Sequence, residues 1–133
     1  MKIKLLLLLS LFGLGMAVAT VYLIPSDSDP VFWLPVFIIC AVVIARETAA
    51  KRFLHGLVLG LLNSFWITIA HILLFDQYIA NHIREAEMLS MMPYPDSPRL
   101  MMLITGPVIG LFSGIVIGLF ALVASRFLTP RKS

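Results

Sequence analysis

The sequence predicts an all-α membrane protein, a single domain over residues 1–133 folded as a bundle of four spanning helices. Three observations carry that prediction. Hydrophobic residues make up 60% of the chain and charged residues only 13%, with a mean hydropathy of +1.00, far from the averages of soluble domains. Four apolar runs come close to or exceed the length that crosses a hydrocarbon core of about 30 Å at about 1.5 Å per residue. The last run carries Gly106, Gly110, Gly114 and Gly118 at every fourth position, which keeps a nearly bare backbone stripe on one helix face.

The first span is read over residues 3–24, preceded by Lys2 and Lys4 and stopped by the PSDSDP segment at 25–30. Its basic start, leucine run and Ala17-Val18-Ala19 imitate a cleaved signal peptide ending near residue 19. The run continues past that point, so a retained helix is expected. The second span covers about 31–46, with Asp29 read as N-cap, Pro30 at the first helical position and Pro35 loosening the first turns. Arg46, Glu47, Lys51 and Arg52 form a charged hinge before the third span, about 55–75. Ser97-Pro98 opens the fourth, about 98–127. Between the last two lies a polar outer segment, 76–97, read as a short amphipathic helix or loop from the spacing of Ile79, Ile83 and Ala86 ahead of a proline-rich stretch.

Eight of the ten basic residues fall on one side of this arrangement, with only Arg84 and Arg99 on the other. Basic residues in short loops favour the cytoplasmic side, so both termini are expected there. Trp33, Tyr22, Tyr78 and Tyr94 then lie near the outer boundary as an aromatic belt. A net charge of +3 suggests nucleic acid, but the basic residues form short groups beside apolar runs, which excludes a nucleic-acid groove. Cys40 is the single cysteine and cannot form an intrachain disulfide.

Small residues recur on other spans. Gly56, Gly60 and Ser64 repeat the four-residue step on span three, and span one pairs Gly13 with Ala17 and Gly15 with Ala19. Such glycine-zipper stripes let helix backbones approach closely, within the chain or between membrane partners. Span three also carries a polar seam, Asn63, Ser64, Thr68 and His71, with the last three on the Gly60 face and Asn63 at its edge. Polar and ionisable groups at membrane depth point into a bundle or a wet cavity, so His71 is the first residue to consider for proton transfer or ligand binding. Its bland reading is a neutral imidazole tying helices together.

No cofactor is expected. A haem held by two histidines of one chain needs a second histidine beside His71, and His55 sits at the opposite end. His82 and Glu85, three apart, supply two metal ligands, short of a site. No carboxylate lies mid-span, and no zinc-protease, phosphate-loop or nucleophile-elbow motif occurs.

The stretches YIANHIREAE and GPVIGLFSGIVIG, with the glycine-rich last span ending in basic residues, give the chain a layout similar to bacterial four-helix integral membrane proteins of unknown function. The resemblance extends from the third span to the C-terminus. It implies a multi-pass protein of the inner membrane and transfers no activity or functional residues. The residues themselves lead to a non-enzymatic accessory or assembly protein that packs through glycine-rich faces, in contact with the lipid bilayer and with a second copy or a membrane-protein partner. The alternative is a small oligomeric transporter or channel with the polar seam of span three along its path. A membrane enzyme with its polar groups at the outer boundary ranks third.

Overall fold

The computed structural model describes residues 2–23, 28–82, 87–88, 90–91 and 96–128, the side chain of Asp29 excepted. Among them are five helices: α1 (Ile3–Tyr22), α2 (Asp29–Glu47), α3 (Arg52–Leu73), the short α4 (Phe75–Asn81) and α5 (Pro98–Ala124). All except α4 are long and apolar enough to cross a membrane. The fold is all-α.

The helix ends differ from the sequence expectation in ways that have local causes. Ser28, not Asp29, is the N-cap of α2, without a side-chain cap bond. Pro30 occupies the first turn, where its missing N–H has no intrahelical partner to lose. Pro35 lies within the helix and removes the rung to the Val31 carbonyl, so the disturbance stays near the start of α2. Helix α3 begins at Arg52, a turn early, because Lys51 adopts the left-handed conformation at φ 56° and reverses the chain there. The Lys51 carbonyl then accepts the His55 backbone N–H at 2.9 Å and lies 2.7 Å from His55 Nδ1.

At the other end α3 stops at Leu73, where Leu74 turns the chain into α4. Apolar residues continue through Phe75, so hydropathy alone could not locate this break. Helix α4 starts inside the predicted third span and ends at Asn81, covering the first part of the stretch read as an amphipathic helix or loop. Ile83, Ala86 and Tyr94, which shaped that expectation, lie outside the described residues. Helix α5 ends at Ala124 and gives way to turns before Phe127.

Helix α3 is the centre of the bundle. It packs between α1, which runs parallel to it, and α5, which runs antiparallel, while α2 leans mainly on α5. A single apolar cluster, Leu6, Leu9, Cys40, Ala41, Ile44, Leu59, Ile117 and Ala121, joins the first halves of α1 and α3 to the second halves of α2 and α5. That end of the bundle is closed. Around the outside, Leu8, Leu11, Ile38, Phe65, Leu103 and Phe112 are exposed. A belt of this kind suits a lipid surround, and helices satisfy their own backbone groups in it.

Candidate functional site

The α3–α5 contact is built from the four-residue repeats of both helices. A Cβ built on Gly56 would overlap the backbone of Gly118, and one on Gly60 would overlap that of Gly114. Farther along, one on Gly110 would strike Ser64 Oγ, and one on Gly106 would strike Thr68 Oγ1. Each step of four up α3 meets a step of four back along α5, so the two stripes stay in register over about 18 Å. Glycine is required here by the approach of a neighbouring backbone, which is the force-bearing contact available where lipid removes the hydrophobic drive.

The polar residues of α3 do not share one direction. Ser64 and Thr68 face the α5 ladder, whereas Asn63 and His71 face α1. Helix α3 is thus buried on two sides, and its hydroxyls and its imidazole serve different neighbours. His71 Nε2 lies 3.0 Å from Thr20 Oγ1, and Thr20 directs its hydroxyl to the Ala17 carbonyl at 3.1 Å. Thr20 has one proton, so it either gives it to the Ala17 carbonyl and accepts Nε2–H from His71, or donates it to Nε2. Asn63 is 2% exposed and its amide lies against Gly13, with neither Nδ2 nor Oδ1 hydrogen-bonded among the described residues. A buried amide left without partners costs about 1–3 kcal/mol.

Three further bonds fasten α1 to α3 and α4. The Lys2 backbone N–H donates to His55 Nε2 at 3.1 Å, Trp66 Nε1 donates to Ser10 Oγ at 3.2 Å, and Asn81 Nδ2 donates to the Val21 carbonyl at 2.9 Å. Tyr78 of α4 stacks between two imidazoles, with ring centroids 4.2 Å from His71 and 4.4 Å from His82. His82 Nδ1 lies 2.9 Å from the Tyr78 carbonyl, which it is placed to give its proton.

These residues surround a cleft of about 500 Å³ at the end of the bundle opposite the apolar cluster. One wall is aromatic: Trp33 and Phe37 of α2, their ring centroids 5.5 Å apart. The facing wall belongs to α3, with Gly60, Asn63, Ser64, Thr68 and His71. Thr105, Gly106 and Ser113 of α5 continue the polar lining, Ile67 and Ile109 contribute apolar surface, and Tyr78 and His82 stand at the mouth with Thr20. The volume is in the range of small-molecule sites.

The cleft therefore gathers all four residues of the predicted seam together with one glycine from each ladder. Gly110 and Gly114 are buried between the helices instead, and Gly56 and Gly118 lie in the closed half. His82 lines the mouth, but Glu85 is outside the described residues, where that metal candidate rests. Among the described residues no three histidine, cysteine, aspartate or glutamate side chains converge. Thr20, Trp33, Phe37 and Thr105 escaped sequence reasoning. Thr20 had a legible signal, a hydroxyl near the end of an apolar span at the depth of His71. The aromatic pair had none, since Trp33 also suits an interface belt.

Chemically, the lining offers hydrogen bonds and aromatic surface, with no Asp, Glu, Lys or Arg side chain among the described residues. It can hold an uncharged molecule by its polar edge. Comparison of the chain with protein-family models, with curated proteins and with solved structures gives no match.

Proposed function

We propose that this chain is a non-enzymatic, multi-pass membrane protein that holds a small molecule in the cleft between α2, α3 and α5. In this reading it sits in a bacterial inner membrane with both termini cytoplasmic and the mouth, marked by Tyr78 and His82, toward the outer face. The supporting observation is the combination of a cleft of about 500 Å³ with a polar lining from α3 at depth. Polar side chains in lipid are costly and concentrate where they meet a partner or a ligand.

The test is photocrosslinking in intact membranes with benzoyl-phenylalanine at the half-buried Ile67, which lines the cleft, and at the exposed Leu111, which does not. The proposal expects a non-phospholipid adduct of defined mass at position 67 alone. Identical phospholipid adducts at both positions would remove its basis.

A second reading, the accessory or assembly protein, keeps one specific support. The stripes of α3 and α5 face each other, but Gly15 has nothing within 4 Å of a Cβ position and borders a separate groove with Leu8, Leu11, Phe12, Met16 and Val36. A partner helix could seat there. Gly15→Leu should then abolish association with a second copy or a partner in membranes, and undiminished association would count against this role.

A further inference from the structure

We infer that the cleft selects an uncharged amphiphile whose polar head is a hydrogen-bond donor, in simplest form a hydroxyl. The inference rests on the reading of the cleft as a binding site and specifies what it takes. Its first support is electrostatic. Among the described residues no Asp, Glu, Lys or Arg contributes to the lining, so a charged head finds no counter-ion among them.

The second support is the donor and acceptor inventory. Two hydroxyls of the lining have already committed their protons to carbonyls of their own helices: Ser64 to Leu61 O at 2.8 Å and Thr105 to Met101 O at 2.6 Å. Each keeps oxygen lone pairs that accept. The α3 and α5 wall therefore offers several acceptors beside the Asn63 amide, whose Nδ2 and Oδ1 are both unbonded among the described residues. A ligand that only accepts, such as an ether or an ester, can take the Asn63 N–H but leaves the acceptors unpaired, whereas a hydroxyl both accepts from Nδ2 and donates to an acceptor.

The remaining contacts define the body. Trp33 and Phe37 form a mainly aromatic wall, whose one side-chain polar group is the Trp33 indole N–H. An apolar chain or ring lies along that side while the head turns to α3. Recognition by a buried acceptor discriminates strongly, because the mismatched ligand leaves that acceptor unsatisfied.

The probe set is 12-bromododecanol, its methyl ether, the sulfate ester and the trimethylammonium analogue, each added to the full chain in lipid nanodiscs at matched mole fraction in the bilayer. Bromine quenches nearby tryptophan, and the chain has two: Trp33 in the cleft wall and Trp66 outside it. Trp66→Phe isolates the Trp33 signal. The difference between wild type and Trp33→Phe reports the same signal should Trp66→Phe fail to fold. The expected result is saturable quenching of Trp33 by the alcohol, with at least tenfold weaker binding of the ether and of both charged forms. Ser64→Ala combined with Thr105→Val should narrow the alcohol's advantage over the ether. Equal binding of alcohol and ether overturns the donor requirement, and equal or tighter binding of a charged form overturns neutrality. Quenching of Trp33 that rises linearly for every probe, as for Trp66 in the bilayer, overturns the cleft as a binding site and with it the function proposed above.

Discussion

At the scale of single residues, the eight glycines of the chain divide by what a side chain would meet. A methyl on Gly60 collides with the backbone of α5, which cannot rotate away as a side-chain tip would. Gly15 faces open space. Gly60→Ala should therefore destabilise the protein by about 1–3 kcal/mol through overpacking. Gly15→Ala should be neutral or gain up to about 1 kcal/mol from helix propensity. Unfolding of both variants in nanodiscs measures the contrast, and equal effects would show that the α3–α5 approach is not as close as described. The glycine pairing was legible in the sequence because two helices carry the same period. The partners of Asn63 and His71 were not legible, because α1 is apolar on nearly every side and its rotation against α3 cannot be read from its own residues.

At the scale of elements, α4 shows where hydropathy stops being informative. The apolar run crosses the α3–α4 break without interruption, and only the backbone turn at Leu74 separates them. With seven residues and none buried, α4 is too short to persist without tertiary bonds. The Asn81 bond to the Val21 carbonyl and the stacking of Tyr78 between His71 and His82 hold it. Asn81→Ala removes a bond of about 1 kcal/mol, which corresponds to about fivefold faster amide exchange over α4. Exchange in α3 should be unchanged. Equal acceleration in both helices would mean that they open as one unit.

At the scale of the whole molecule, the distribution of contacts gives the bundle two unlike ends. Apolar side chains from all four long helices close one end, while at the other α2 parts from α3 and α5 around the cleft. In the orientation proposed above, the closed end faces the cytoplasm. Helix order was readable from the apolar runs, whereas the cleft depends on how far α2 stands from its neighbours, which no periodicity encodes.

Cysteine accessibility tests this two-ended arrangement most directly, and the native Cys40 is fully buried in the closed end, so it leaves a quiet background. Thr105→Cys places a thiol in the cleft lining. The account predicts that an impermeant maleimide labels position 105 from the outer side of the membrane only, and that adding Ile109→Trp to fill the cleft suppresses the reaction. Labelling from the cytoplasmic side alone, or a thiol at position 105 as inert as Cys40, would contradict it.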